Sequence, residues 1–254
     1  MAEYKNRIAV VTGAASGLGY GIASKLLELG AHVAFLDIDS ERLNQVETEN
    51  EDRKGLFETR RIDVTKCDEL LQYFSDLQSK HGRIDYLFNN AGIGGTLPFE
   101  NASQEHWETI VRLNLFGVIN GITAVYPIMK GQRSGHIINT SSISGIIPFP
   151  GQALYNTTKY AVTGLSLSLE SELKNYNIKI SIICPGMVRT RIFYKPIIGE
   201  EATEDMVNIP QEAITVEEAV EDIFDGIEKD KQVIITPRSL EQYYSLYKST
   251  GKLS

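Results

Sequence analysis

The stretch "RIAVVTGAASGLGYGIASKLLELGAHVAFLD" (residues 7–37) decides how this chain folds. Residues 8–11 are an unbroken apolar run rich in β-branched side chains, and 7–12 as a whole reads as a strand covered on both faces. "TGAASGLG" (12–19) follows at once. Then "GLGYGIASKLLELG" (17–30) spaces its apolar residues for a helix and ends in Gly30, a C-cap residue. "HVAFLD" (32–37) reads as a second buried strand. Strand, glycine turn, helix and strand make one crossover unit, which predicts parallel pairing.

Glycines at 13, 17 and 19 remove side chains where a ligand's phosphates would need the backbone. The turn also delivers the N–H groups of a helix start to a pyrophosphate. Ser16 and Leu18 belong to the same turn. Asp37 stands 24 positions after Gly13, where a carboxylate accepts hydrogen bonds from adenosine ribose hydroxyls. A 2′-phosphate about 4 Å from that carboxylate is repelled by about 1 kcal/mol in water and about 4 kcal/mol at an effective dielectric of ~20. Ile38 and Asp39, not a basic residue, follow Asp37, and Ser16 precedes Gly17. These residues predict NAD rather than NADP. Ser40 reads as the cap of the next helix.

The remaining chain repeats the alternation. Strands are expected at 58–64, 85–90, 136–141, 178–184 and 232–236. Helices are expected at 66–81, from Ser103 to about Met129, at 155–176 and from Val216. Residues 186–214, with Pro196, Gly199 and Pro210, read as a surface excursion. The tail spaces Leu240, Tyr243, Tyr244 and Tyr247 helically, as a core or subunit-interface stripe. The fold class is α/β: a Rossmann-like, doubly wound, parallel seven-stranded sheet with helices on both faces, in one domain spanning 1–254.

Composition narrows the function. Net charge −8 argues against nucleic acid, whose phosphates demand a basic face. The four histidines show no ligand spacing, so no metal is expected. The two cysteines, Cys67 and Cys184, are too few for a disulfide framework and fit a reducing, cytoplasmic setting. No signal-peptide h-region and no apolar run near the length of a membrane span is read.

Seven motifs in order resemble those of the short-chain dehydrogenase/reductase family: "TGAASGLG" (12–19), "DV" (63–64), "NNAG" (89–92), Asn114 in "RLNLFG", "SS" (141–142), "YNTTK" (155–159) and "PGMVRT" (185–190). The resemblance covers nearly the whole chain and implies residue roles. Asp63 and Val64 would flank the adenine. Asn90, Ala91 and Gly92 would line the cofactor. Ser142, 13 residues before Tyr155, would be the catalytic serine. Tyr155 and Lys159 would form the acid/base pair, and Lys159 would also bind nicotinamide ribose. Pro185, Gly186, Val188 and Thr190 would hold the nicotinamide end. Asn114 would kink its helix and support a water-mediated proton relay to Lys159. Family members are commonly oligomers, which implies a homodimer or homotetramer. Cys184 departs from the Asn that many relatives carry there and reads as a small buried residue.

Tyr155 and Lys159 stand at i and i+4, on one helix face. An ammonium about 4 Å from a phenol, at an effective dielectric of ~20, favours the phenolate by about 4 kcal/mol, against desolvation. The expectation is a phenol brought near neutrality, suited to general acid/base work.

The substrate pocket is expected from Gly94, Ser142, Ile143, Phe149, Gln152, Tyr155, Met187 and Phe193, with 187–214 as a lid. Its apolar character points to a hydrophobic secondary alcohol or ketone. Arg189 and Arg191 read as solvated or paired with local acids. Three rival readings are an extended-branch epimerase, for which 254 residues leave no room, a silent nucleotide-sensing module, and an NADPH-dependent 3-oxoacyl carrier-protein reductase.

Overall fold

A computed structural model of the chain describes residues 4–194 and 209–251. The elements follow the expected alternation: β1 (Ile8–Thr12), α1 (Gly17–Glu28), β2 (His32–Asp37), α2 (Ser40–Glu49), β3 (Phe57–Arg61), α3 (Cys67–His81) and β4 (Tyr86–Asn89). Then come α4 (Gln104–Val111), α5 (Gly117–Gln132), β5 (Gly135–Thr140), α6 (Ala153–Lys174), β6 (Ile178–Pro185), α7 (Val216–Glu228), β7 (Val233–Thr236) and α8 (Leu240–Thr250).

The seven strands form one sheet in the order β3-β2-β1-β4-β5-β6-β7, parallel at every pairing. Strand residues are apolar throughout because alternate side chains enter two different cores. Ala9 and Val11 join α1 and α7 on one face. Val10 and Leu87 join α3, α5 and α6 on the other. Phe74 on α3 is fully buried in the second core; truncating such a side chain costs about 3–5 kcal/mol. The order reverses between β1 and β4, which leaves a crevice beyond the carboxyl ends of those strands.

Three local expectations are corrected. The cap of α2 is Asp39, whose side chain accepts from the Arg42 N–H, and not Ser40, which is the first helical residue. The helix carrying Tyr155 begins two residues earlier, at Ala153, so that Tyr155 lies inside its first turn. The expected single helix from Ser103 is split by a widened, π-type turn at Arg112–Phe116. The whole run Gln104–Gln132 meets the length and hydropathy of a membrane span, but half of that window is buried in the fold. Val118, Ile122, Val125 and Met129 pack it against the sheet as a core helix. Residues 195–208 of the expected lid lie outside the described residues; of the rest, Arg191–Tyr194 form a short 3₁₀ turn and Val188 bridges to Ile214.

Candidate active site

The crevice at the sheet reversal opens into a cleft of about 1120 Å³. Its floor is the first glycine turn. Gly13 and Gly17 have φ of +64° and +54°, values that L side chains strain to adopt. A Cβ on Gly13 would stand 2.9 Å from the Ala91 Cα, so the turns that follow β1 and β4 approach this closely only with glycine at residue 13. Helix α1 begins above this turn. Ser16 makes no side-chain cap and no acid stands in the first turn, so neither competes for the amides at its N-terminus. That fits a pyrophosphate.

The carboxylate of Asp37 is fixed at the end of β2 by two backbone donors. Ala15 N–H donates to Oδ2 at 3.0 Å and Asp39 N–H to Oδ1 at 3.1 Å. Ile38, 56% exposed, extends the rim beside it. The Asp63 side chain accepts from the Thr65 N–H (2.9 Å) and hydroxyl (2.8 Å), which pins the turn that carries Val64. Asn90 ties three strands together: its N–H donates to Thr12 Oγ1 (3.0 Å), its amide to the Thr12 carbonyl (3.3 Å), and its Oδ1 accepts from the Thr140 hydroxyl (3.3 Å). These polar links tie the ends of β1, β4 and β5 together under the cleft.

Ser142, Tyr155 and Lys159 converge at the other end. Ser142 sits after β5 and caps a 3₁₀ turn, Ile143–Gly145, by accepting from the Ser144 N–H (3.1 Å); its hydroxyl donates to the Pro185 carbonyl (3.3 Å). Lys159 Nζ donates to the Thr140 carbonyl at 3.0 Å and lies 5.6 Å from the centre of the Tyr155 ring. Burial lowers the Lys159 ammonium to about 8, with the neighbouring Cys184 opposing that shift. Burial raises the Tyr155 phenol, hydrogen bonding with Ser142 lowers it, and Cys184 raises it further. The net direction is upward, so these side chains alone do not bring the phenol near neutrality as its spacing from Lys159 predicted. Desolvation of a phenolate outweighs an ammonium aimed at Thr140 rather than at the phenol oxygen. Cys184 is itself pushed up to about 12 by burial, the state of an inert thiol.

Asn114 and Gly19 stand behind the cleft. Asn114 is fully buried at the centre of the π-type turn. Its Oδ1 accepts from the Ile93 N–H and its amide donates to the Ile93 carbonyl, both at 2.9 Å. It therefore clamps the loop after "NNAG" and has no side-chain hydrogen bond to Lys159. Gly19 lets α1 close onto the Gly13 carbonyl. All other predicted site residues line the cleft: Gly13, Ser16, Gly17, Leu18, Asp37, Ile38, Asp63, Val64, Asn90, Ala91, Gly92, Pro185, Gly186, Val188 and Thr190 along the nucleotide half, and Gly94, Ser142, Ile143, Phe149, Gln152, Tyr155, Lys159, Met187 and Phe193 around the reacting end.

Sequence reasoning missed several lining residues. Arg42 in the first turn of α2 reaches the rim near Asp37 and pairs with Asp39 at 3.5 Å. A helix folding back over the end of β2 is the signal for it, since Arg42 lies five positions after Asp37 and not in the two that follow directly. Leu240, Tyr243, Tyr244 and Tyr247 of α8 pack on the small core around Ile143 and Ile147, as their spacing predicted, and Leu240 and Tyr243 line the cleft as well. Among the described residues Arg189 pairs with no acid; it donates to the Ala213 (2.8 Å) and Gln211 (3.2 Å) carbonyls and ties the chain after β6 to the segment before α7. No group of three or more potential metal ligands occurs among the described residues.

The short chain dehydrogenase family model matches residues 7–196. An uncharacterized oxidoreductase of Staphylococcus saprophyticus is 36% identical over 215 residues, covering 84% of this chain and 92% of that protein. The 3-oxoacyl-[acyl-carrier-protein] reductase of Thermotoga maritima is 34% identical over 200 residues, covering 79% and 80%. Among solved structures, a short-chain dehydrogenase/reductase of Burkholderia phymatum in complex with NAD superposes with a TM-score of 0.86 at 26% identity, covering 98% of this chain and 95% of that one. A short-chain dehydrogenase of Sphingobium yanoikuyae in complex with NADPH gives 0.83 at 26% identity, covering 96% and 93%.

Proposed function

Because the chain belongs to the short-chain dehydrogenase/reductase family, we propose that it is an NAD(H)-dependent oxidoreductase interconverting a hydrophobic secondary alcohol and its ketone. The observation that carries this reading is the meeting of Ser142, Tyr155 and Lys159 in the same cleft as the glycine turn. The glycine turn, Asp37, the Asp63–Val64 turn and Lys159 would hold a nicotinamide dinucleotide, which when bound supplies the hydride chemistry. The remaining work falls to the protein.

The Ser142 hydroxyl orients the substrate oxygen and stabilises charge developing on it. The Tyr155 phenol exchanges a proton with that same oxygen. Burial keeps the phenol protonated, which suits it as the acid for ketone reduction. In the oxidative direction the phenol has to give up its proton first, and the Lys159 cation favours the phenolate so formed. Rates of alcohol oxidation therefore rise with pH only up to about 8, where the Lys159 ammonium itself loses its proton, while rates of ketone reduction fall. Asn114 acts at one remove, by holding the Ile93 backbone next to Gly92.

Asp37 supports NAD over NADP, since a 2′-phosphate would meet a carboxylate already fixed at the rim. The 3-oxoacyl carrier-protein reductase reading has the Thermotoga maritima relative in its favour. The net charge of −8 stands against it, because an acidic carrier needs a basic docking face. One domain, a reducing cytoplasmic setting and a homodimer or homotetramer complete the proposal. Initial rates with NAD, NADH, NADP and NADPH against a panel of hydrophobic alcohols and ketones test it. Faster turnover with the NAD pair is expected. Preference for NADPH with carrier-bound 3-oxoacyl groups would select the second reading, and inactivity with every pair would leave only a nucleotide-binding module.

A further inference from the structure

Helix α8 contains no buried residue, yet it is anchored at two places that matter to the cleft. At its start, Leu240 packs onto Gly186 so closely that a Cβ on residue 186 would stand 2.5 Å from Leu240 Cδ1. Further along, Tyr244 and Tyr247 pack on the core beside Ser142 and stand near Tyr160, the residue after Lys159. The same helix lies on the small core formed by Ile143, Ile146 and Ile147, which follows Ser142. Lys231 pairs with Glu241 at 2.8 Å and steadies its first turn. So α8 is braced between the chain after β6 and the helix of Tyr155, and the wall it presents is fixed. Between the two anchors, Tyr243 lines the cleft, half-buried, together with Ile143, Phe149 and Met187. Its hydroxyl has no hydrogen-bond partner among the described residues.

From this bracing we infer that Tyr243 is a specificity-determining residue, its ring forming the distal wall against which the ring-sized apolar body of an aryl or cyclic ketone (or the matching alcohol) lies. The inference rests on the oxidoreductase reading proposed above and adds what selects the substrate. Tyr243 and Phe149 both line this end of the cleft, where planar, apolar groups gain contact area and ring stacking. A short aliphatic ketone does not reach this wall and gains nothing from it.

The test compares the full-length wild type with Tyr243→Ala, Tyr243→Phe and Leu246→Ala, using an aryl or cyclic ketone and a three- or four-carbon ketone. Leu246 is 47% exposed and away from the cleft, so its variant reports on disturbance of α8 alone. Tyr243→Ala is expected to lose about tenfold or more in kcat/KM for the large ketone, chiefly through KM, and to change the small ketone less than about threefold. Tyr243→Phe, which keeps the ring, is expected to hold the wild-type ratio between the two substrates, as is Leu246→Ala. An active wild type whose large-to-small ratio is unmoved in Tyr243→Ala overturns the inference alone. A wild type that turns over neither ketone with any nicotinamide nucleotide removes the oxidoreductase reading and this inference with it.

Discussion

The two ends of the sheet bury ionisable groups in opposite ways. At the amino ends of the strands, Asp85 is 6% exposed and fully matched: Arg83 and Arg7 pair with it, and the Ile8 N–H donates to it at 2.9 Å. At the carboxyl ends, Lys159 is 4% exposed and has no carboxylate partner among the described residues, only the Thr140 carbonyl. The first arrangement cancels charge and stabilises the fold. The second leaves a cation uncompensated beside a protonated phenol, where an incoming substrate oxygen can use both. Position in the fold thus decides whether a buried charge is a fastening or a reagent.

The sharpest way to break this contrast is Tyr155→Phe. Removing the hydroxyl deletes the proton donor and leaves the packing of the ring, so turnover is expected to fall by at least about 100-fold. Binding of NADH, followed by its fluorescence, is expected to stay unchanged. A variant keeping a tenth of the wild-type rate would refute the acid/base role. The second test lies at the opposite end of the sheet. Asp85→Ala leaves two guanidinium groups and the Ile8 N–H without their acceptor, at a cost of roughly 3 kcal/mol. That corresponds to a melting temperature lower by about 10 °C in calorimetry. No loss of stability would show that the matching at this end is idle.

A third test uses His136, also at the amino ends, whose Nε2 hydrogen-bonds Ser181 Oγ at 2.9 Å. Burial lowers it to about 4, with Lys179 lowering it further and Asp230 opposing. The folded state therefore binds fewer protons than the unfolded chain between pH 6.5 and about 4. Stability falls as pH drops through that window, by up to about 3 kcal/mol. His136→Gln should flatten that part of a pH–denaturation curve, and an unchanged slope would assign the loss to other groups. The smallest expected shift sharpens the comparison most. Lys159→Met should abolish turnover yet change stability by less than about 1 kcal/mol, because the buried ammonium has no counter-ion to lose. A large drop in melting temperature would mean that Lys159 fastens the fold after all.

Much of this architecture was legible in the chain because its signals are local. Gly13 and Gly17 announce a turn of positive φ whatever surrounds them, and uninterrupted β-branched runs announce strands covered twice. What stayed hidden depends on direction. Tyr155 and Lys159 are on one face by spacing, but spacing does not reveal that the ammonium points at Thr140. Tyr243 belongs to a helical stripe, but a stripe does not name what it faces. Arg42 escaped notice because α2 folds it back toward Asp37 across a turn.

The widened turn at Arg112–Phe116 has a consequence for how this region can change. Such a turn carries one residue more than regular helical spacing requires. Deleting any one of the four residues around Asn114 in this turn would let the ladder close up, turning α4 by about 100° and drawing it about 1.5 Å along the axis. Asn114 would swing off Ile93 while the sheet stayed whole. Chain length in this short segment is therefore as binding a constraint as residue identity: side-chain swaps on the outer surface of α4 should be absorbed, whereas a single-codon loss at 112–116 should silence the protein without unfolding it.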